Sequence, residues 1–322
     1  MKAIVCAKYG SPDVLRLQEV EQPIPRSNEV RIRVYASVAG PSDCAFRKSD
    51  PFLIRFLYGL RKPKYSILGV ELAGEVESVG AGVTSFQVGD RVFGLSAKTF
   101  GAYAEYKCLP EDAPLAAKPE ALTYAETVAV CDGAPTALTF LRDKAKVRNG
   151  QQVLINGASG AVGIYAVQLA KYYGAEVTGV CSAGNAELVS AMGADRVIDY
   201  GREDFTSSGR AYDVIFDAVG KRSYGQCKRA LTPTGIYLST VPSASILFHM
   251  LRTAASRGKR AMFATAGLMQ NKENLAFIRE LCDTGALRPA IDRRYPLERA
   301  SEAHRYVETG RKRGNVVLLI ED

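Results

Sequence analysis

Residues Val153 to Lys171 read VLINGASGAVGIYAVQLAK, an apolar strand that runs into Gly157, Gly160 and Gly163 and then into an apolar helix. No other feature constrains the fold as much, because in a loop that holds a dinucleotide each glycine has its own duty. Gly157 permits the tight turn, and Gly160 lets backbone N–H groups approach a pyrophosphate. Gly163 lets the helix lie close on the strand, with its N-terminus towards the phosphates. The loop residues Ser159, Gly160, Ala161 and Val162 are therefore candidate cofactor contacts. The spacing alone is common, and its context makes it specific. The apolar face Val162, Ala166, Leu169 and Ala170 follows the loop, and a second strand, Glu176 to Cys181, follows the helix.

The rest of the chain changes character near Tyr124. Before it, short strands separated by Gly and Pro are predicted at Ala3 to Ala7, Glu29 to Ala36, Ala73 to Val79, Arg91 to Gly94 and Ala102 to Lys107. After it, a helical stretch to Leu141 leads into strands at Val153, Val177, Arg196, Val214 and Ile236 alternating with helices, which predicts a parallel, doubly wound sheet. An apolar helix from Ser243 to Lys259 and a strand from Arg260 to Ala266 end that region and leave a sheet edge that a second copy of the chain would cover. The tail returns to short strands, with a helix near Leu297 to Thr309 and a strand Asn315 to Ile320 expected to rejoin the first module. A chain of 322 residues exceeds the size at which one core usually divides. The expected domains are residues 1–123 with 288–322, β-rich, and residues 124–287, α/β.

Several functional classes are disfavoured. No apolar run approaches the roughly 20 residues that cross a bilayer, and the N-terminus lacks a signal-peptide pattern, so the expected location is cytoplasmic. Seven scattered cysteines without a C-x-x-C pair read as reduced, mostly buried thiols. The net charge of +8 resides in short clusters such as Arg311, Lys312 and Arg313, without the aromatic interleaving of single-strand binders, so specific nucleic-acid binding is not expected.

Several segments together resemble the medium-chain dehydrogenase/reductase superfamily, in its zinc-independent quinone oxidoreductase branch. They are LGVELAGEVESVG (Leu68 to Gly80), VGDRVFG (Val88 to Gly94), GAYAEY (Gly101 to Tyr106), the glycine loop, MGADRVIDY (Met192 to Tyr200), DVIFDAVG (Asp213 to Gly220) and RKRGNVVL (Arg311 to Leu318). The resemblance implies a GroES-like, β-rich catalytic domain and a Rossmann domain. It also aligns Gly40 and Val70 with the family's first zinc-binding cysteine and its histidine, and neither residue can bind a metal. Cys108 stands alone where a structural zinc lobe would carry four cysteines, and His249 and His304 read as structural or exposed. No metal is expected.

At the end of the second strand, where an NAD-specific fold places Asp or Glu, the chain has Cys181 and Ser182, so nothing repels a 2′-phosphate. This favours NADPH and leaves NADH possible. Ser182 is either a phosphate donor or the cap of the next helix. Gly184 stands where related sequences often carry Lys, which makes Asn185 the nearest polar group, and Tyr200 is placed nearby by likeness. Likeness further suggests Thr136 near the nicotinamide, Val219 and Gly220 after the fourth strand, Ser239 and Thr240 after the fifth, and Asn315. Ser42 aligns with the superfamily's proton-relay hydroxyl, or caps a turn beside Asp43. The segment Phe46 to Tyr65, with Phe52, Phe56, Leu57 and Tyr58, is either a lid over a hydrophobic acceptor or a helix packing inward. Without a Lewis acid, conjugated acceptors are favoured, because charge from an added hydride spreads over their π-system. The expected activity is NADPH-dependent reduction of a quinone, enone or enal. The alternatives are a zinc-free aldehyde or ketone reductase and a cofactor-binding sensor or interaction protein.

Overall fold

Alternation of buried and half-buried residues along Glu29–Val38, with Val30, Ile32, Val34 and Ala36 inward, makes this the organising strand of the β-rich part. The computed structural model describes residues 1–52, 54–266 and 270–320, and it has two compact units. The first comprises Met1–Asp132, Gln270–Thr284 and Pro289–Asp322. Its seven-stranded sheet runs in the order Ile291–Pro296, Asn315–Leu319, Glu29–Val38, Glu71–Val79, Arg91–Leu95 and Leu115–Ala117, with Tyr106–Pro110 also paired to Glu29–Val38. Two irregularities in the pairing with Glu71–Val79 bend Glu29–Val38. Its first half thereby pairs with Tyr106–Pro110 and its end with Asn315–Leu319. Gly74 sits at this bend, where a Cβ would lie 2.0 Å from the Arg33 carbonyl oxygen.

The second unit comprises Gly133–Met269 and Gly285–Arg288. Six parallel strands lie in the order Arg196–Asp199, Glu176–Cys181, Gln152–Asn156, Tyr212–Asp217, Leu231–Ser239 and Arg260–Phe263. Val153, Leu154, Ile155, Val214, Ile215 and Phe216 are buried, as strands covered on both faces require. The strand order reverses between Gln152–Asn156 and Tyr212–Asp217. Ligands of open α/β sheets bind at such a switch point, beyond the carboxyl ends of the strands.

The units divide the chain differently from the expected 1–123/288–322 and 124–287. Helices Tyr124–Val130 and Lys272–Asp283 both belong to the β-rich unit, because Val128 and Ala129 of one and Leu275 of the other share a core with Phe93, Leu95 and Val317. The helix expected from Tyr124 to Leu141 is interrupted, as Tyr124–Val130, Gly133–Leu138 and a wider, π-helical turn Thr139–Ala145, where Gly133 and Pro135 weaken the helical ladder. The helix expected from Ser243 to Lys259 runs only over Ala244–Thr253, and the strand from Arg260 ends at Phe263. Thr253 Oγ1 accepts the Ala261 N–H at 3.0 Å and so turns the chain back into the strand. The strand expected at Ala102 to Lys107 runs instead over Tyr106–Pro110, because Ala102 and Tyr103 hydrogen-bond to the carbonyls of Gly69 and Leu68 in a loop that turns the Tyr103 ring inward.

Candidate functional site

In the glycine loop Gly157 adopts φ +80°, a conformation open to glycine, and its N–H and that of Ala158 both donate to the Val180 carbonyl at 3.0 Å. A Cβ at Gly163 would come within 2.1 Å of the Gly157 carbonyl oxygen, so helix Gly163–Tyr172 starts hard against the turn. A Cβ at Gly160 would meet only that same oxygen, at 3.3 Å, which leaves its outer side open to a ligand. The Gly160 N–H itself donates to Gly157 at 3.0 Å and closes the turn. Anion binding in this loop therefore falls to the first-turn N–H groups that the helix cannot pair internally. These features fit the pyrophosphate of a dinucleotide.

Apart from Thr136, the predicted residues of this unit lie at the ends of its strands or in the turns after them. Asn185 Nδ2 donates to Ser159 Oγ at 2.9 Å and ties the loop to the segment after Glu176–Cys181. Ser182 precedes a short 3₁₀ turn, and its side chain makes no capping hydrogen bond, so the hydroxyl is not engaged in holding that turn. Tyr200 is exposed, and its N–H donates to the Cys181 carbonyl at 3.1 Å, which brings the loop after Arg196–Asp199 beside Ser182. Thr136 is buried in Gly133–Leu138. Val219 and Gly220 form a turn at the end of Tyr212–Asp217, with Gly220 at φ +65°. The Thr240 N–H donates to the Asp217 carbonyl at 3.3 Å, and the Ser239 hydroxyl exchanges hydrogen bonds with the backbone of Val241.

Two residues that sequence reasoning passed over lie at the neighbouring turns. The buried Asp217 carboxylate accepts N–H groups from Val219 at 3.2 Å, Gly220 at 2.9 Å and Arg222 at 2.8 Å, together with Asn156 Nδ2 at 3.0 Å and the Tyr237 hydroxyl at 3.3 Å. It sets the conformation of the whole turn after the fourth strand. Arg202, largely exposed, follows Tyr200 and lies 3.7 Å from Asp199. A basic residue close behind the second strand's neighbour was the signal for it.

In the β-rich unit Ser42 is exposed in the first turn of helix Pro41–Lys48. The capping role at that helix start is taken by Asp43, whose carboxylate accepts the N–H of Gly40 at 3.1 Å and of Gly69 at 3.0 Å. Burial pushes its carboxyl up to about 7, opposed by those two N–H donors. Behind the helix, Cys44 Sγ and Arg47 Nε lie 3.4 and 3.3 Å from His304 Nδ1, and the Tyr103 hydroxyl lies 3.1 Å from His304 Nε2. Burial and then the Arg47 charge take His304 down to about 3, so this ring is neutral, and it is buried rather than exposed. Burial, joined by Asp132 and Asp43, raises the Glu71 carboxyl, and Glu71 Oε2 has no hydrogen-bond partner among the described residues. Burial lowers Lys312 to about 8 against the pull of Glu71 and Asp292. The Asn315 amide nitrogen donates to the carbonyls of Ala129 at 2.8 Å and Ala290 at 3.4 Å, so the structure gives Asn315 a framework role inside this unit.

Residues 26–120 match the family described as alcohol dehydrogenase GroES-like domain, and residues 192–318 match the one described as zinc-binding dehydrogenase. A quinone oxidoreductase of Pseudomonas aeruginosa is 32% identical over 99% of this chain and 99% of its own length. A 2-methylene-furan-3-one reductase of Solanum lycopersicum is 32% identical over 99% of this chain and 79% of its own. The solved quinone oxidoreductase of Coxiella burnetii superposes with a TM-score of 0.90 at 31% identity, covering 100% of this chain and 99% of that one. The chain belongs to the medium-chain dehydrogenase/reductase superfamily. It falls in the quinone oxidoreductase-like branch, as an α/β oxidoreductase that uses NAD(P)H.

In this medium-chain reductase Gly40 and Val70 offer no donor atom. Among the described residues no three His, Cys, Asp or Glu side chains are grouped so as to hold a metal ion. The residues present do not fit zinc. No helix among the described residues is long and apolar enough to cross a membrane. The segment Phe46 to Tyr65 has two sides. Phe46 and Tyr58 pack edge-on against each other and against Phe100, whereas Phe52 and Phe56 face outward; the side chain of Leu57 lies outside the described residues.

Proposed function

We propose that this chain is a metal-independent, NADPH-preferring reductase of quinones or activated alkenes. The observation that carries the reading is the donor set at the superfamily's zinc positions, Gly40 and Val70, which leaves no Lewis acid for an alkoxide. A bound reduced nicotinamide supplies the hydride. The chain's own residues bind and orient. The first-turn N–H groups from Ala161 to Gly163 receive the pyrophosphate, with Ser159 and Asn185 bracing the loop. Asp217 holds Val219 and Gly220 for the ribose side, and Thr136, Ser239 and Thr240 line the route of the nicotinamide. Ser182, Tyr200 and Arg202 receive the 2′-phosphate, the last with a positive charge. Ser42, exposed at its helix start, orients the acceptor or relays to it a proton taken from water. Asn315 contributes indirectly, through the backbone it holds.

A second copy of the chain covers the sheet edge at Arg260–Phe263, beside helix Ala244–Thr253, where Leu247, Phe248 and Leu251 are exposed. Light scattering of Phe248→Asp tests it: a monomer is expected where the unmodified chain gives a dimer. A reducing compartment such as the cytoplasm suits seven free cysteines, six of them buried.

The central test is oxidation of NADPH and NADH against quinones, enones, enals and saturated aldehydes, with and without a strong chelator. Chelator-resistant turnover of the conjugated acceptors, faster with NADPH and slowed in Ser42→Ala, is expected. Turnover of saturated carbonyls alone would establish an aldehyde or ketone reductase instead. NADPH binding with no turnover of any acceptor would establish a sensor.

A further inference from the structure

We propose that the outward face formed by Phe52, Phe56 and Leu60 together with Arg61, Lys62 and Lys64 docks this protein onto an anionic lipid bilayer. Large apolar side chains grouped on a surface usually mark a binding face, and Phe52, Phe56 and Leu60 are 61%, 66% and 60% exposed. They stand on a fixed base. Phe46, Tyr58 and Phe100 form an edge-to-face cluster beneath, with centroids 4.5 to 5.6 Å apart, and the Tyr9 hydroxyl donates to the carbonyls of Tyr58 and Gly59. Arg55 is part of this framework. Its Nε donates to Ser49 Oγ at 2.8 Å, and its guanidinium lies over the rings of Tyr9 and Phe52 at 5.0 and 5.1 Å.

The charge around the apolar trio decides the occupant. After the exposed Asp50, the stretch from Pro51 to Val70 has no Asp or Glu and four basic residues, of which Arg61, Lys62 and Lys64 are exposed directly after Leu60 in the chain, and Lys64 Nζ lies 5.3 Å from the Tyr65 ring. A second copy presenting the same face would meet like charge. A simple lid over a neutral acceptor has no use for three exposed cations. Rings that enter the boundary of headgroups and acyl chains, flanked by cations that reach lipid phosphates, are the chemistry of a surface-binding segment.

The test is co-sedimentation of the full chain with phosphatidylcholine vesicles and with vesicles of phosphatidylcholine mixed with phosphatidylglycerol. Binding to the mixed vesicles alone is expected, weakening as salt is raised. Each basic residue near an anionic surface is worth about fivefold in partitioning, so Arg61→Gln/Lys62→Gln/Lys64→Gln is expected to lower partitioning about a hundredfold. Phe52→Ser/Phe56→Ser is expected to lower it at least about tenfold. In both variants the melting temperature, NADPH binding and turnover of a water-soluble quinone should stay as in the parent. Equal binding to both vesicle types, no binding to either, or full binding by the phenylalanine variant would overturn the proposal. So would a raised KM for the soluble quinone in that variant without vesicles, which means a lid, or loss of an oligomer in light scattering, which means a second copy. The vesicle outcomes are read without turnover and so stand apart from cofactor and acceptor preference.

Discussion

The two units hold their frameworks together by opposite means. In the α/β unit the features are mostly main chain: Gly157 at φ +80°, a helix start within touching distance of the turn, and a loop held by N–H groups on Asp217. In the β-rich unit they are buried side chains, with Asp43 gripping Gly40 and Gly69 and His304 bridging Cys44, Arg47 and Tyr103. A main-chain site tolerates almost no added atoms. A side-chain network can lose one member and remain in place, at a cost in stability and in its response to pH.

That contrast orders the expected effects. Gly163→Ala puts a Cβ 2.1 Å from the Gly157 oxygen, and a shift of about 1 Å at the loop should weaken NADPH binding about a hundredfold, measured by nucleotide fluorescence. Retained affinity would show that the loop is softer than its geometry implies. Asp217→Asn replaces an acceptor oxygen with an N–H₂ group facing other N–H donors, and should cost about 2 to 3 kcal/mol by denaturant titration. A Ser182→Asp change adds a carboxylate where the 2′-phosphate is proposed, and should raise the KM for NADPH about tenfold while leaving that for NADH nearly unchanged. Equal effects on both cofactors would remove Ser182 from the phosphate site.

The response to pH belongs to the β-rich unit. His304 is held at about 3 when folded and returns to its usual value near 6.5 when unfolded, so the unfolded chain binds the extra proton between those values. Stability is full above about 6.5 and is lost as pH falls towards 3, by up to about 1.4 kcal/mol per pH unit. Melting temperatures of His304→Gln between pH 7 and 5 should therefore fall less steeply than those of the parent. An unchanged slope would mean that the ring is not held neutral.

Much of the main-chain half was legible in the sequence, because glycine spacing and strand periodicity are local. The six parallel strands fall at the expected Val153, Val177, Arg196, Val214, Ile236 and Arg260. Asp217 was not legible as the holder of its turn, since an aspartate at a strand end looks the same whether it accepts five hydrogen bonds or none. The contacts of His304 with Cys44 and Tyr103 span 260 and 201 positions, and no periodicity reports them. The placement of helix Tyr124–Val130 escaped for a similar reason, because its apolar face meets strands far along the chain in either direction. The two sides of the Phe46 to Tyr65 segment depend on which rings reach Phe100, a choice that hydrophobicity alone does not record.

The pairing of Val38 with Val317 has a consequence for synthesis. Strand Glu29–Val38 emerges from the ribosome early, yet its neighbour Asn315–Leu319 is made only after every strand of the six-stranded sheet. The α/β unit has its strands in hand first and can settle while the nascent chain is still growing. Until translation reaches Leu319, the β-rich sheet keeps an unfilled seam beside Ala36 and Val38, and during that interval chaperones have most to protect.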